Sequence, residues 1–163
     1  MPSERATLFL ISGKIAAGKT TLADVLAKRP LTVLVSQDHW LSSLYSAELE
    51  TLDDYRRCSA RVRAALQPHI ESLLQKGVSV VMDFPANTLD QRAWLRGLFE
   101  AAEADHELHY LDVANEVCRK RLHERNQRGE HPFQVSDAQF DEFTSHFMPP
   151  TADEGFNVIT HTA

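Results

Sequence analysis

Eight consecutive residues near the start of the chain have the types and spacing of a phosphate-binding loop. They fit the pattern G-x-x-x-x-G-K-[ST]. They are Gly13, Lys14, Ile15, Ala16, Ala17, Gly18, Lys19 and Thr20. In this pattern backbone N–H groups surround a row of phosphates, the lysine reaches the β- and γ-phosphates, and the hydroxyl binds Mg²⁺. A chance match in a loop is the alternative, so the flanking segments decide between the two.

Both flanking segments favour a phosphate site. An apolar run at residues 7–11 precedes the loop, as a buried strand would, and residues 21–27 have the pattern of an amphipathic helix. A helix that begins at the loop directs its N–H groups and the positive end of its dipole at one point. We therefore expect ATP as the nucleotide, bound by the loop residues and Thr21. Lys19 is expected to act in catalysis as well.

Short apolar runs alternate with amphipathic segments along the chain, which is typical of an α/β fold. The predicted strands cover residues 7–12, 31–35, 78–83, 108–113 and 156–160. This alternation predicts a five-stranded parallel sheet with helices on both faces. No repeat or linker interrupts the pattern, so we predict a single domain over residues 1–163.

Three capping-box patterns, at Thr51, Thr88 and Ser136, mark helix starts. The helix after Thr51 contains Pro68, which either kinks it or divides it in two. The helix after Ser136 carries phenylalanines on one stripe and should end at the two prolines at positions 149 and 150. The phenylalanines are Phe140, Phe143 and Phe147.

Acidic residues follow three of the predicted strands: Asp38, Asp83 and Asp112. Ligands of parallel sheets bind beyond the carboxyl ends of the strands, so these acids are candidates for chemistry. A carboxylate at Asp38, near a bound γ-phosphate, could accept the proton of an attacking hydroxyl. The alternative is that Asp38 caps a short helix over residues 40–46.

Asp83 ends an apolar run in the manner of an acid that holds Mg²⁺, directly or through water. The alternative is a polar strand-end residue bonded to the following turn. We predict a metal site formed by Thr20 and Asp83. Asp112 is interpreted as structural, because an outer strand would place it too far from the metal.

Arginines recur on one side of the helix predicted over residues 116–128. At about 100° per residue, three of them share a stripe with Leu122, so the stripe begins apolar and ends cationic. The three are Arg121, Arg125 and Arg128. We predict an Arg-rich lid that binds the phosphates, in which Arg121 and Arg125 also stabilise the transition state. The alternative is a solvated basic face paired with Glu124 and Glu130, and Arg119 is expected to face solvent.

The acceptor of a phosphoryl group should meet residues close to Asp38. His39 and Trp40 follow it directly and could line an acceptor pocket or pack at its rim. Asn87, in the turn after the third strand, either contacts the acceptor or caps the next helix. Arg92, one turn into that helix, is a weaker candidate for phosphate binding.

Composition argues against several partners. The chain has 163 residues and a net charge of −6, which gives no general attraction to nucleic acid or to an anionic membrane. No apolar run is long enough to span a bilayer and no signal peptide is recognised, so we expect a cytoplasmic protein. Cys58 and Cys118 match no metal spacing and are interpreted as reduced thiols. The oligomeric state is left open.

The order of these motifs resembles that of a known kinase group. The phosphate loop comes first, then Asp38, then Asp83 with Asn87, and then the Arg-rich helix. This order is similar to that of the bacterial P-loop kinases grouped with zeta toxins, chloramphenicol phosphotransferase and the kinase domain of polynucleotide 5′-kinases. The resemblance implies a kinase-type P-loop NTPase fold that uses ATP and Mg²⁺. It also implies Asp38 as the general base and Arg121 and Arg125 as lid residues.

Two departures from that group bear on the acceptor. Many of its members have an arginine three residues after the base, where this chain has Leu41, and a Pro-Gly or Gly-Ser pair where it has Ala16 and Ala17. The missing arginine and the negative net charge favour a small hydroxyl compound as the acceptor. The alternatives are a polynucleotide 5′-hydroxyl kinase, a toxin-type nucleotide-sugar kinase, or a nucleotide-dependent switch with slow hydrolysis. The chain has no Asn-Lys-x-Asp motif of the GTPase type.

Overall fold

Five parallel strands form one sheet in the computed structural model, which describes residues 5–129 and 134–162. The strands are β1 (Thr7–Gly13), β2 (Thr32–Ser36), β3 (Ser79–Asp83), β4 (Asp105–Asp112) and β5 (Val158–Thr162). They lie in the order β2–β3–β1–β4–β5, and every neighbouring pair is parallel. The predicted five-stranded parallel sheet is confirmed.

Helices connect the strands. They are α1 (Lys19–Leu26), α2 (Gln37–Tyr45), α3 (Leu52–Gln75), α4 (Leu89–Ala102), α5 (Asn115–Arg128) and α6 (Asp137–Ser145), with a 3₁₀ turn at Ala152–Glu154. Capping boxes start α3 at Thr51 and α6 at Ser136, as predicted. At α4 only half of the box forms. Thr88 accepts the backbone N–H of Gln91, but the Gln91 side chain accepts from the backbone of Asn87 instead.

Alternate residues of β1 face the two helical layers of the fold. Leu8 and Leu10 pack into the core shared with α2, α3 and α4, whereas Phe9 and Ile11 pack against α1. A third cluster lies at the carboxyl end of the sheet and joins the phosphate loop to α5 and α6. Its buried members are Ala17, Val113, Cys118, Leu122 and Phe140. The predicted coverage of both faces is confirmed, and the loop is held between packed elements.

One alternative and one boundary of the predicted helices are wrong. α3 is a single helix that contains Pro68, so the proline does not divide it, whereas a kink stays a prediction. α6 ends at Ser145, and Phe147 therefore lies beyond the helix. Of the two phenylalanines within α6, Phe140 is fully buried but Phe143 is 39% exposed. The three rings thus form no continuous buried stripe.

The two cysteines are free and buried, in agreement with their interpretation as reduced thiols. Burial raises the pKa of the Cys118 thiol, which keeps it protonated and unreactive. In the described part of the chain, no helix is both long and apolar enough to cross a membrane.

Candidate active site

The phosphate loop joins the buried end of β1 to the first turn of α1. Gly18 has φ 107°, a backbone conformation that glycine adopts without strain, and it occupies the N-cap position of α1. Ala16 also has a positive φ, 63°, which costs a non-glycine residue some strain. A Cβ atom on Gly13 would lie 3.2 Å from the Leu111 Cβ and 3.3 Å from the Ala17 Cβ. Backbone conformation therefore favours glycine at position 18, and close packing favours it at position 13.

Three other residues of the loop motif and its flank have distinct surroundings. The Lys14 ammonium donates to the backbone carbonyl of Val113 at 3.3 Å, which ties the loop to the end of β4. Ile15 packs against the cluster formed by α5 and α6. Thr21 is exposed in the first turn of α1. The nucleotide contacts assigned to these residues remain predictions.

The Lys19 ammonium is folded over the loop. It donates to the backbone carbonyls of Gly13 at 2.8 Å and Lys14 at 3.1 Å. Burial lowers the pKa of Lys19 to about 8, although the negative charges of Asp83 and Asp38 act in the opposite direction. A cation held in this position, with its solvation largely removed, would gain strongly from a bound anion.

The Thr20 hydroxyl donates to the Asp83 carboxylate at 3.2 Å. Burial raises the pKa of Asp83, and the charge of Asp38 raises it further. A hydroxyl and a carboxylate whose negative charge is poorly compensated make a donor pair suited to Mg²⁺, so the residues fit the predicted metal. Among the described residues, no group of three or more His, Cys, Asp or Glu forms a full metal cage.

Asp38 lies in the first turn of α2, directly after β2. The N-cap of that helix is Ser36, whose hydroxyl accepts the backbone N–H of His39 at 3.3 Å. The alternative interpretation of Asp38 as the helix cap is therefore wrong. Its negative charge acts on Lys19 and on Asp83, so the carboxylate lies on the side of the phosphate loop. β2 and β3 are neighbours, which brings the acids at their ends together.

The α5 arginines approach the loop from the opposite side. Arg121 donates to the backbone carbonyl of Ala17 at 3.2 Å. Arg125 is half-buried, burial lowers the pKa of its guanidinium, and the charge of Asp38 partly offsets this effect. Its Nε is buried without a hydrogen-bond partner among the described residues. Arg128 is exposed at the end of the helix. Phosphate contacts by these three residues remain predictions.

The sequence predicts that Arg119 faces solvent, but its side chain is only partly exposed and contacts α6. Its guanidinium forms an ion pair with Asp141 of α6 at 2.5 Å and lies 5.3 Å from the centre of the Phe140 ring. It therefore joins α5 to α6. Glu130, one of the two acids considered as partners of the basic face, lies outside the described residues.

Asn87 supports the loop from the neighbouring strand. Its side-chain oxygen accepts the backbone N–H of Gly13 at 3.0 Å and the Ser12 hydroxyl at 3.4 Å. The cap of α4 is Thr88, so the alternative of Asn87 as that cap is wrong. Whether Asn87 also contacts an acceptor stays a prediction.

Arg92 cannot serve as a phosphate ligand, because it is fully engaged inside the protein. The side chain is 1% exposed and pairs with Glu154 at 2.7 Å. It also donates to the backbone carbonyls of Ala86 at 2.9 Å and Met148 at 2.8 Å. The weak prediction of phosphate binding is replaced by a structural role.

A model of an AAA domain family matches residues 8–150 of the sequence. The chain belongs to this family. No curated protein matches the sequence.

Solved structures resemble this AAA domain over almost its whole length. A structure from Chloroflexus aurantiacus, whose assignment as a kinase is provisional, has a TM-score of 0.76 at 22% identity and covers 98% of this chain and 86% of its own. Kti12 of Chaetomium thermophilum, in complex with ADP-AlF3, has a TM-score of 0.70 at 16% identity and covers 95% and 88%. The APS kinase CysC of Mycobacterium tuberculosis, in complex with AMPPNP and APS, has a TM-score of 0.64 at 17% identity and covers 98% and 89%. The predicted kinase-type P-loop NTPase fold is confirmed, whereas the narrower resemblance to zeta toxins and chloramphenicol phosphotransferase stays a prediction.

The reason for which the sequence analysis set Asp112 aside is wrong. β4 is not an outer strand but lies directly beside β1, so distance from the loop is not the reason to set Asp112 aside. Its carboxylate is exposed and accepts the Tyr110 hydroxyl at 3.4 Å. That local bond on the strand surface keeps Asp112 a structural residue of the AAA domain.

The predicted acceptor residues that follow Asp38 lie on α2. His39 and Trp40 are exposed on the first turn of α2, in agreement with either a pocket lining or a rim. Leu41 is fully buried in the core, so the position three residues after Asp38 faces away from the cleft. The site as a whole combines the phosphate loop, cations on two sides, the hydrogen-bonded pair Thr20 and Asp83, and one further carboxylate, Asp38.

Proposed function

We propose that this AAA domain transfers the γ-phosphoryl group of ATP to a hydroxyl of a small molecule. The observation that carries the proposal is the position of Asp38. Its charge acts on Lys19, Asp83 and Arg125, and it is not the cap of α2. Binding and slow hydrolysis of a nucleotide would not require a carboxylate beyond the metal-binding pair. Transfer to an alcohol requires a group that accepts a proton at this place.

In the proposed reaction one bond to the γ-phosphorus forms and one breaks. The Asp38 carboxylate accepts the proton of the acceptor hydroxyl, whose oxygen forms a bond to the γ-phosphorus. The bond between that phosphorus and the β–γ bridging oxygen breaks, and ADP leaves. Lys19, Arg121 and Arg125 stabilise the negative charge that is spread over the transferred group. Thr20 and Asp83 would hold Mg²⁺, which would supply neutralisation of charge on the phosphate oxygens.

A small acceptor is favoured over a polynucleotide by the charge and the shape of the acceptor side. The net charge of −6 provides no general attraction for a nucleic acid chain. The position three residues after Asp38 provides no arginine to the cleft, because it is occupied by Leu41, which belongs to the core. The aromatic ring of Trp40 is 38% exposed beside Asp38 and offers an apolar surface to a ring or carbon skeleton.

A transfer assay with γ-labelled ATP and Mg²⁺ tests the proposal. Pools of hydroxyl metabolites, antibiotics and oligonucleotides with 5′-hydroxyl ends are offered as acceptors. We expect label in a small hydroxyl compound. We also expect Asp38→Asn to lose transfer by about 10²-fold or more while it keeps nucleotide binding. Asp53→Asn, on an exposed turn of α3, is the matched control and should transfer normally. Full transfer by Asp38→Asn would show that Asp38 is not the base, and labelled oligonucleotides would assign the acceptor to the nucleic acid class.

A further inference from the structure

β5 is an outer strand of the sheet, and apolar burial contributes little to its attachment. It pairs with β4 along its whole length. Each of its five residues is exposed or half-buried. The backbone hydrogen bonds to β4 and a few side-chain contacts must therefore hold the strand in place. Histidines make two of these contacts.

His106 of β4 makes the first contact, with the chain just before β5. Its Nε2 accepts the backbone N–H of Asn157 at 3.0 Å. The ring stacks on Phe99 with ring centres 4.1 Å apart, which fixes the direction of that nitrogen. Nε2 accepts only while it carries no proton, so the hydrogen of the neutral ring is on Nδ1. A second proton would place two N–H donors face to face, and the bond to Asn157 would be lost.

Charged groups surround His106 on several elements. Burial lowers the pKa of His106, and the charge of Arg96 on α4 lowers it further. The carboxylates of Asp105 and Glu100 act in the opposite direction. Three more charged residues line the groove beside the ring: Arg5, Glu103 and Glu107. Because the pKa in the fold lies below the ordinary 6.5, the neutral ring and its bond are favoured at neutral pH.

His109 of β4 and His161 of β5 make the second contact. His109 is 4% exposed, and its Nδ1 lies 2.8 Å from Nε2 of His161. On its other side, Nε2 of His109 lies 3.0 Å from a carboxylate oxygen of Glu107. An ionised carboxylate only accepts, so His109 donates from Nε2 and accepts at Nδ1, and His161 is the donor. Two neutral imidazoles thus complete one chain of hydrogen bonds across the strands.

This histidine pair can take up one proton but not two. A single proton is shared, because a charged imidazole donates to a neutral one. Two charged rings would direct N–H groups at each other across 2.8 Å, and their charges would repel. Burial lowers the pKa of His109, whereas Glu107 raises it. The charges of His161 and Arg29 lower it further, and Arg29 also lies 3.8 Å from the Glu107 carboxylate.

The chain that leads into β5 is anchored by groups that keep their charges at mildly acidic pH. Arg92 pairs with Glu154 at 2.7 Å. Although burial acts to raise the pKa of Glu154, the hydrogen bond from Arg92 helps to lower it from 4.5. Gly155 follows with φ 77°, a conformation that suits glycine. The segment after this glycine can therefore leave β4 while its entry point stays fixed.

We propose that β5 is an acid-sensitive strand: when His106 gains a proton and the His109–His161 pair gains a second one, residues 156–162 detach from β4 while β1 to β4 stay folded. The inference does not depend on the proposed phosphoryl transfer. Its direction follows from linkage, because a released histidine binds a proton more readily than an attached one. Attachment is complete above about pH 6.5 and weakens as the pH falls through the lower values of the folded protein.

Hydrogen exchange of the backbone amides tests the inference on the natural protein. Exchange is followed at about pH 7.5 and about pH 5, with rates corrected for the intrinsic effect of pH on exchange. We expect the protection of Val158–Thr162 to fall by about tenfold or more relative to that of β1. An unchanged ratio would mean that β5 is not released. An equal loss in both strands would mean general unfolding, and either result would overturn the inference.

His106→Gln and His161→Gln, combined in one protein, remove the two proton sites and keep the hydrogen bonds. The oxygen of one glutamine can accept the Asn157 N–H, and the nitrogen of the other can donate to His109. The second amide can also turn its oxygen towards a charged His109. We expect this variant to protect β5 at about pH 5 as well as at about pH 7.5. His69→Gln, exposed on α3, is the control and should respond to pH as the natural protein does. Loss of β5 protection by the double variant on acidification would show that the histidines do not control the strand.

A titration of the natural protein gives the same decision without substitutions. The imidazole resonances of His106 are followed by NMR over the same range of pH. We expect His106 to gain its proton over the range in which β5 loses protection. If His106 became charged while β5 stayed fully protected, its bond to Asn157 would not hold the strand, and the inference would be wrong.

Discussion

At the level of single residues, the phosphate loop depends on contacts that its motif does not contain. Gly13 ends β1, and its backbone N–H is bound by the Asn87 side chain from the turn after β3. On its other side the glycine is in close contact with Leu111 of β4 and with Ala17. The first glycine of the motif is therefore fixed by neighbours on both adjacent strands.

Gly13→Ala should weaken nucleotide binding. Its Cβ would lie 3.2 Å from the Leu111 Cβ and 3.3 Å from the Ala17 Cβ, so the loop must move by a few tenths of an ångström. We expect a loss of about 1–3 kcal/mol in stability from this overpacking and a lower affinity for ATP. Gly97→Ala is the control, because its Cβ meets no atom within 4 Å and alanine favours a helix. It should gain about 0.5–1 kcal/mol with unchanged ATP affinity. Urea unfolding and ATP titration measure both effects, and equal behaviour of the two variants would contradict the packing argument.

The sequence points to candidate site residues where the signal is local. Lys19 and Thr20 follow from the loop motif, and Asp38 and Asp83 follow from their position after apolar strands. The contacts of Asn87, Arg92 and Gln37 could not be found in this way. Their partners lie at sequence separations of 74, 62 and 18 residues, and nothing in the local pattern marks which amide or guanidinium becomes buried.

At the level of elements, Arg92 connects α4 with the 3₁₀ turn before β5 and with two loop segments. It projects from α4, pairs with Glu154 in the 3₁₀ turn before β5, and donates to the backbone carbonyls of Ala86 and Met148. Arg96, one turn later, also donates to the Glu154 backbone carbonyl. A buried ion pair adds little net stability compared with apolar residues, but loss of one partner leaves the other charge unpaired. The pair therefore fixes where the chain enters β5.

Glu154→Gln should destabilise the protein in a pH-dependent way. Burial alone would raise the pKa of Glu154, but the hydrogen bonds from Arg92 and from the Thr151 backbone outweigh it and lower that pKa from 4.5. Because the folded pKa is the lower one, the carboxylate stabilises the fold above the unfolded value and loses that contribution as the pH falls through the folded value. We expect the variant to lose about 2 kcal/mol at pH 7 and to approach the natural protein at acidic pH.

Denaturant unfolding between pH 7 and pH 3 measures this difference. Glu124→Gln, on the exposed face of α5, serves as the control and should lie parallel to the natural protein at every pH. A stability gap between Glu154→Gln and the natural protein that does not narrow on acidification would show that the carboxylate charge is not what Arg92 requires.

The boundaries of helices and strands could be predicted where the hydrophobic periodicity and the capping residues indicate the same ends. They were less predictable where contacts with other elements determine the end. β4 begins at Asp105, three residues before its apolar run, because Asp105, His106 and Glu107 pair with β1 although their pattern is polar. α6 ends at Ser145 although Phe147 continues the apolar spacing. The Phe147 ring instead stacks on Tyr110 of β4, with ring centres 6.2 Å apart. In both cases a neighbouring strand provides the contact that sets the boundary: β1 for the start of β4, and β4 for Phe147.

At the level of the whole molecule, charge is separated between site and surface. The chain carries a net charge of −6, yet Lys19, Arg121 and Arg125 surround the phosphate loop. The net charge therefore indicates which large anionic partners are disfavoured. It does not indicate which ligand the site binds. Lys19 and Arg125 are both partly buried and carry charges that the fold disfavours, as their lowered pKa values indicate. A bound polyphosphate would compensate both.

This compensation should make nucleotide binding visible in the stability of the whole protein. At a nucleotide concentration of about 100 times Kd, binding adds about 2.7 kcal/mol, which for a chain of this size corresponds to an increase of roughly 5–10 °C in melting temperature. Lys19→Ala should abolish the increase, because the loop then lacks its cation for the β- and γ-phosphates. Without nucleotide the variant should be as stable as the natural protein or more so, since a poorly solvated ammonium has been removed. Lys76→Ala, at the exposed end of α3, should respond to nucleotide normally. If Lys19→Ala were stabilised by ATP as strongly as the natural protein, the loop would not be where the phosphates bind.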